Sequence, residues 1–137
     1  MIFSPSILIT DDDVGFRETL RGVLEPRGYR TLLAGDGEEA LHIVRTQEVH
    51  LVLLDMHMPK LTGLEVLERL RQFKLLLPCI LLSADLDERI VEQARRSQAF
   101  SVLAKPVSRH RITWTVEQAI ERTYRQPRPD TGTADMG

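Results

Sequence analysis

Five side chains of this sequence have the types and the placement that phosphoryl transfer requires. The carboxylates are Asp11, Asp12 and Asp55, the hydroxyl is Ser83 and the amine is Lys105, and each follows a run of mainly aliphatic residues. Carboxylates brought close together repel one another unless a cation neutralises them, and Mg²⁺ prefers oxygen ligands. A carboxylate can also accept a phosphoryl group, while a hydroxyl and an ammonium group stabilise the transferred charge. Brought together by a fold, these side chains would form a phosphoryl-acceptor site with a divalent cation.

The run of aliphatic residues before Asp55 predicts where that carboxylate lies. Residues 51–54 are four aliphatic residues in a row, which predicts a strand covered on both faces, as in a parallel sheet. Pro59 disfavours helix for the residue before it, so Asp55 is expected at the carboxyl end of its strand, entering a loop. In open α/β sheets, ligands bind at that end.

Strand-like and helix-like segments alternate along the chain. Strands are predicted at residues 7–10, 29–34, 51–55, 79–82 and 100–104. Helices are predicted at residues 14–25, at about 86–96 and at about 108–124. Another helix is predicted after Gly37, with Ala40, Leu41 and Val44 as its apolar residues. A fifth is predicted after a Thr62 cap, with the apolar face Leu64, Val66, Leu67 and Leu70. Five strands alternating with five helices predict an α/β fold, a doubly wound parallel sheet with helices on both faces. All five side chains then lie at one edge of the sheet.

Length, composition and charge narrow the classes of protein. The chain has 137 residues, 42% of them hydrophobic and 28% charged, as expected for one globular domain. Its 18 Lys and Arg residues and 20 Asp and Glu residues give a net charge of -2, so no overall basic field is available to hold nucleic acid directly. A single cysteine excludes an internal disulfide, and no apolar run approaches the roughly 20 residues of a membrane span. With no secretory pattern at the N-terminus either, we expect a cytoplasmic protein without a membrane segment.

The motifs at the strand ends resemble those of the receiver domain of two-component response regulators, the CheY-like superfamily. That family has an acidic pair after the first strand, Asp-x-x-Met-Pro after the third, Ser or Thr after the fourth and Lys-Pro after the fifth. Here these stand as Asp11-Asp12, Asp55-Met56-His57-Met58-Pro59, Ser83-Ala84 and Lys105-Pro106, within a resemblance that covers residues 7–124. The resemblance implies a flavodoxin-like fold with five helices and the strand order 2-1-3-4-5.

The resemblance also implies a role for each site residue. Asp55 would accept a phosphoryl group from the phosphohistidine of a sensor histidine kinase or a phosphotransfer protein, and Ser83 and Lys105 would hold the phosphoryl oxygens. The implied Mg²⁺ ligands are Asp55, Asp12 directly, Asp11 mostly through water, and His57 through its backbone carbonyl. Such a domain is a signalling switch and not an enzyme, with at most self-phosphorylation from small donors and autodephosphorylation. The resemblance allows for a downstream effector domain or protein and for a homodimer.

One position departs from the family pattern. Receiver domains commonly have Tyr or Phe three residues before the lysine, as a ring that moves inward when the Ser or Thr is drawn to the phosphoryl group, whereas this sequence has Val102. Because valine is short and stiff, we expect the signal to travel through Ser83 and the loop after it, with the helix at about 86–96 shifting as a unit. The alternative is that Phe100, expected on the same side of the strand because it is two positions away, supplies the readout.

Two other classes of protein fit part of the sequence. A haloacid-dehalogenase-like phosphohydrolase uses a strand-end Asp and a second Asp two residues on, which residues 11–13 provide, but Gly15 stands where that family usually has Thr or Val. That family's Gly-Asp motif is also missing after Lys105. A flavodoxin-like cofactor-binding module would need a Gly-rich or hydroxyl-rich phosphate loop where three aspartates stand.

Several single side chains are expected to have structural roles and no part in phosphoryl transfer. Asp13 is expected to cap the first helix, the His57 side chain to face solvent, and Cys79 to be a small buried residue and not a reactive thiol. Trp114 is expected on a packed or partner-facing surface of the last helix. Residues 125–137 are rich in Pro, Gly and polar residues, so we expect a disordered tail or linker after a receiver domain at residues 1–124.

Overall fold

The computed structural model describes residues 3–125 of the chain. The strands are β1 (Ser6–Thr10), β2 (Arg30–Ala34), β3 (Leu51–Asp55), β4 (Cys79–Ser83) and β5 (Ser101–Ala104). The α-helices are α1 (Val14–Leu24), α2 (Gly37–Thr46), α3 (Gly63–Leu70), α4 (Glu88–Arg96) and α5 (Arg109–Ile120). A 3-10 turn (Glu25–Arg27) follows α1, and a π-helical turn (Glu121–Arg125) follows α5. Of the predicted tail at residues 125–137, only Arg125 is described, in the π-helical turn, and the rest lies outside the described residues.

The five strands form one parallel sheet in the order β2-β1-β3-β4-β5. This is the predicted doubly wound, flavodoxin-like α/β fold. In the register of the sheet, Asp55 pairs with Leu82 across β3 and β4, and Ser83 pairs with Ala104 across β4 and β5. The carboxyl ends of the three strands are therefore level with one another, which brings their last residues to the same edge.

Two apolar cores cover the two faces of the sheet because successive side chains of a strand point to opposite sides. On one face, Val52 and Leu54 of β3 pack with α2, α3 and α4 through Leu41, Leu67 and Ala94. On the other face, residues of α1 and α5 pack on the sheet. The buried set is Ile7, Ile9, Leu20, Leu24, Leu51, Leu53, Ile80, Leu82, Leu103, Ile112, Val116, Ala119 and Ile120. The central strands β1, β3 and β4 are buried throughout, which explains their continuous aliphatic runs.

Each α-helix begins at a side chain that accepts a backbone N–H of its first turn. Asp13 caps α1 by accepting the N–H of Phe16 at 3.2 Å, as predicted. Thr62 caps α3 as predicted, and the Glu65 side chain accepts a hydrogen bond from the Thr62 N–H, which completes a capping box. Asp87 caps α4, so this helix begins at Glu88, two residues later than the sequence pattern indicates.

The expectation that Phe100 and Val102 face the same side of the sheet is wrong. Val102 packs against the core on the α2, α3 and α4 side, whereas Phe100 packs against the core under α1 and α5. The strict alternation holds only within β5, which begins at Ser101, so Phe100 precedes the strand and is not bound by its period. Phe100 is therefore on the opposite side of the sheet from α4.

The longest α-helix within residues 3–125 is α5, with 12 residues. None of the helices in this part of the chain has the length and apolar character needed to span a bilayer.

Candidate functional site

The predicted site residues lie together at the carboxyl edge of the sheet. Asp11 follows β1, Asp55 ends β3, Ser83 ends β4 and Lys105 follows β5. Asp11, Asp55 and Ser83 are buried, while Asp12 is exposed at the surface of the cluster. Four separate strands thus deliver side chains to one place, as the alternation of elements predicts.

Lys105 joins the two buried carboxylates of the site. Its Nζ atom lies 3.0 Å from Asp11 Oδ2 and 3.0 Å from Asp55 Oδ1. The same ammonium lies over the ring of Phe16, 4.3 Å from the ring centroid. The Lys105 side chain is 22% exposed against 2% for Asp11 and 6% for Asp55, so the pairs are largely shielded from water.

Burial and neighbouring charges together set the pKa values of Asp55 and Lys105. Burial raises the pKa of Asp55, and the charge of Asp11 adds to this increase, although hydrogen bonding to Lys105 and to the His57 backbone opposes it. Burial alone would lower the pKa of Lys105, but its hydrogen bonds to Asp55 and Asp11 outweigh that effect and raise it. Lys105 is therefore a cation at neutral pH, held against the carboxylates of both Asp11 and Asp55.

Asp11, Asp12 and Asp55 have the geometry of a cation site. Each offers one carboxylate oxygen, and these oxygens all lie within 4.8 Å of one another. The donor set is made only of hard oxygen atoms, two of them buried and one exposed, which suits Mg²⁺ with some of its waters retained. These residues therefore fit Mg²⁺.

The backbone around Asp11 is fixed by two further contacts. The N–H of Asp13 donates to Asp11 Oδ1 at 2.8 Å, and Arg17 Nη1 donates to the Asp11 carbonyl oxygen at 2.7 Å. Because both contacts come from the start of α1, that helix sets the orientation of the carboxylate. Asp13 thus serves the site indirectly as well as capping α1.

Ser83 makes hydrogen bonds on the side of the site formed by the loops after β3 and β4. Its Oγ accepts the N–H of Asp85 at 3.2 Å and lies 3.4 Å from His57 Nε2. The His57 side chain is exposed, as predicted, but its contact with Ser83 is not among the predicted contacts. The pairing of β3 with β4 was the available signal, since it brings the loops that follow these strands close together.

Phe16 is a member of the site that the sequence pattern did not reveal. Its helical spacing predicts only a place on the apolar face of the first helix, whereas the ring also faces Lys105. A helical period shows which face of a helix is buried and says nothing about which buried residue contacts a charged group from another element.

Two residues outside the site were also interpreted from the sequence. Cys79 is fully buried as predicted, and Trp114 is half-exposed on α5.

Comparison with known proteins identifies the family. The model of the response regulator receiver domain matches residues 7–117. The chain is 35% identical over 117 residues to the alkaline phosphatase synthesis transcriptional regulatory protein PhoP of Bacillus subtilis, covering 85% of this chain and 49% of that protein. It is 34% identical over 119 residues to the response regulator RR06 of Streptococcus pneumoniae, covering 87% of this chain and 54% of that protein.

Solved structures agree with this assignment. The receiver domain of NtrX from Brucella abortus superposes with a TM-score of 0.79 at 29% identity, over 84% of this chain and 98% of that one. A CheY-like receiver domain protein from Methanospirillum hungatei has the same fold, with a TM-score of 0.86 at 21% identity, over 90% of this chain and 98% of that one.

The chain belongs to the receiver domain family of two-component response regulators. Receiver domains are signalling domains and not conventional enzymes, and they bind Mg²⁺ through acidic residues. The family match favours a receiver domain over a phosphohydrolase or a cofactor module. The chain spans about half the length of PhoP and RR06.

Proposed function

We propose that this chain is a signalling switch that accepts a phosphoryl group on Asp55 in a Mg²⁺-dependent reaction. The observation that carries the proposal is the position of Asp55, buried at the carboxyl end of β3, 3.0 Å from Lys105 and within 4.8 Å of two further carboxylates. A nucleophilic carboxylate, a fixed ammonium and an oxygen-lined cation site are the components that phosphoryl transfer needs.

The donor is the phosphohistidine of a sensor histidine kinase or a phosphotransfer protein. The Asp55 carboxylate attacks the phosphorus atom, a P–O bond forms, and the P–N bond to the donor imidazole breaks. The imidazole leaves with the electron pair of that bond and takes up a proton. With acetyl phosphate as the donor, the P–O bond to the acetyl group breaks instead and acetate leaves. In autodephosphorylation, water attacks the phosphorus atom of the aspartyl-phosphate, inorganic phosphate leaves, and the Asp55 carboxylate is restored.

The residues that would hold the cation are Asp12 directly, Asp11 mostly through water, Asp55, and His57 through its backbone carbonyl. When bound, Mg²⁺ supplies the positive charge that offsets the repulsion between the carboxylates and the incoming phosphoryl group. Asp11 is suited to its role because the start of α1 fixes its orientation through the Asp13 N–H and Arg17.

Lys105 and Ser83 hold the transferred group. The Lys105 ammonium exchanges its contact with Asp55 for a contact with a phosphoryl oxygen, while retaining Asp11. The Ser83 hydroxyl turns away from Asp85 and His57 and donates to another phosphoryl oxygen. This movement shifts the loop after β4, which leads into α4, so a local change of charge reaches the surface.

Receiver domains act with sensor kinases and effector domains, and this chain is proposed to do the same in the cytoplasm. The receiver domain comprises residues 1–124, and residues 125–137 form a tail or a linker towards an effector. A homodimer is one form in which the phosphorylated state would act, and direct contact with nucleic acid is not expected from the net charge of -2.

Intact-mass spectrometry tests the proposal. The protein is incubated with acetyl phosphate, with Mg²⁺ or with a chelator, and weighed at intervals. The expected result is the mass gain of one phosphoryl group that requires Mg²⁺ and disappears in Asp55→Asn. Asp36→Asn is the matched control, since asparagine also caps a helix and Asp36, which caps α2, lies outside the phosphoryl-acceptor set. A mass gain that persists in Asp55→Asn, or in the chelator, contradicts the assignment.

A further inference from the structure

We propose that Phe16 is a positioning residue for phosphoryl transfer, whose ring holds the Lys105 ammonium at Asp55. The inference rests on the proposed function, because it concerns the same reaction. Phe16 does not contact the carboxylate that would be phosphorylated; it acts through Lys105, which lies over its ring at 4.3 Å from the centroid. That distance is within the range in which the negative face of an aromatic ring attracts a cation.

The ammonium of Lys105 has three partners of different kinds. Two are the carboxylate oxygens of Asp11 and Asp55, each at 3.0 Å, and the third is the Phe16 ring. Carboxylates attract the cation strongly but also move or change charge during the reaction, since Asp55 would become an aspartyl-phosphate. The ring neither titrates nor binds a metal ion, so it keeps its attraction for Lys105 before and after transfer.

Phe16 is itself held by the residues of the site. Its N–H donates to the Asp13 side chain at 3.2 Å, and the Asp13 N–H donates to Asp11 Oδ1 at 2.8 Å. Lys105 returns to the other oxygen of Asp11, which closes a ring of contacts through Asp11, Asp13, Phe16 and Lys105. Such a closed set fixes the direction from which the ammonium reaches Asp55.

An aliphatic side chain at position 16 would not replace the ring. The Lys105 side chain is only 22% exposed, so its ammonium has lost much of its water and depends on protein groups for compensation. Leucine would fill part of the space and keep contact with the core under α1, but it offers no negative face to the cation. Tyrosine keeps that face, which makes Phe16→Leu and Phe16→Tyr a matched pair.

The rate of phosphorylation by acetyl phosphate in Mg²⁺ separates the two variants. Phe16→Leu is expected to be about threefold to tenfold slower than the wild type, and Phe16→Tyr to lie within about twofold of it. The control is Phe73→Leu, which removes a ring that faces a different cation, Arg45, at 4.5 Å. Its rate is expected to match the wild type. A wild-type rate in Phe16→Leu, or equal losses in Phe16→Leu and Phe16→Tyr, overturns the inference.

A double-mutant cycle separates positioning of the ammonium from simple packing. Urea unfolding is measured for wild type, Phe16→Leu, Lys105→Met and the double variant. The destabilisation caused by Phe16→Leu is expected to be at least about twofold smaller when Lys105 is already Met, because the cation is gone. An equal destabilisation in both backgrounds means that Phe16 only packs, and this overturns the inference. Should acetyl phosphate fail to modify the wild type, the proposed function fails, while the cycle still decides whether the ring holds the ammonium.

Discussion

Gly63, the first residue of α3, lies against the backbone of Asp55 so closely that a side chain would not fit between them. A Cβ atom built on Gly63 would lie 2.5 Å from the Asp55 carbonyl oxygen and 3.1 Å from a methyl carbon of Leu81. The Gly63 N–H also donates to the carbonyl oxygen of Met56 at 3.1 Å. The start of α3 is thus packed directly on the end of β3, at the proposed phosphoacceptor.

Gly63→Ala is therefore expected to destabilise the fold and to displace Asp55. Overpacking a close contact typically costs about 1–3 kcal/mol, and here part of the displacement falls on the backbone of the site. Urea unfolding measures the free energy, and the rate of phosphorylation by acetyl phosphate measures the displacement. Gly22→Ala is the matched control: Gly22 lies in α1 with open space around it, so alanine should stabilise the helix by about 0.5–1 kcal/mol. A Gly63→Ala protein as stable and as reactive as the wild type contradicts the packing argument.

The sheet and most of the site could be predicted because they depend on where strands end. Asp55 and Ser83 end buried strands, and parallel strands place their carboxyl ends at one edge whatever the details of packing. The contacts of Phe16 with Lys105 and of His57 with Ser83 join side chains from different elements. The hydrophobic periodicity of a helix or a strand does not predict such contacts. The side of Phe100 was mispredicted for a related reason, since the strand period was extended one residue beyond β5.

Asp55→Asn is expected to make the metal-free protein more stable at neutral pH. The pKa of Asp55 is raised in the folded state, mainly by burial, so the stability linked to this group is fully present below its unfolded pKa and is lost as the pH rises through the raised value. Asparagine cannot ionise, so the variant does not lose this stability as the pH rises. In a chelator at pH 7 the variant should be more stable than the wild type, and the difference should shrink as the pH falls towards 4. A variant less stable than the wild type at pH 7 contradicts this expectation.

Lys105→Ala is expected to bind Mg²⁺ more tightly, by about tenfold. In the structure the Lys105 ammonium is bonded to one oxygen each of Asp11 and Asp55, so it competes with a metal ion for the same carboxylates and repels its charge. Calorimetric titration with Mg²⁺ measures the affinity. Lys74→Ala removes one positive charge at an exposed position and serves as the control. Unchanged or weaker Mg²⁺ binding in Lys105→Ala shows that the two cations do not compete.

The single cysteine is expected to be inert in the folded protein. Cys79 is fully buried, and burial raises the pKa of its thiol to about 12. At pH 8 only about one thiol in ten thousand is then a thiolate, the reactive form. A colorimetric disulfide reagent should therefore label the native protein orders of magnitude more slowly than the protein in urea, where the same single thiol is exposed. Equal rates in the two conditions contradict the burial of Cys79.

We expect the conformational change caused by phosphorylation of Asp55 to reach the surface through α4 and not through β5. Two residues of α4 contact the core: Ala94 is buried in it and Ile90 packs against it in part. At the carboxyl end of α4, Arg71 donates to the carbonyl oxygens of Ser97 and Gln98 at 3.1 and 2.9 Å. These two hydrogen bonds hold the carboxyl end of α4 against the end of α3. The amino end of α4 therefore has more freedom to move than its carboxyl end.

Val102 and Phe100, the two candidates for a switch residue, face different sides of the sheet. Val102 faces the α4 side but is short and stiff, whereas Phe100 lies on the other side, under α1 and α5. Beryllium fluoride, which mimics the aspartyl-phosphate, should therefore produce its largest amide shifts in residues 84–86 and at the start of α4, with small shifts at Phe100. Val102→Tyr restores a ring on the α4 side and should enlarge the shifts in β5. If the wild type responds mainly at Phe100 and in β5 while α4 is unmoved, the signal does not travel by this route.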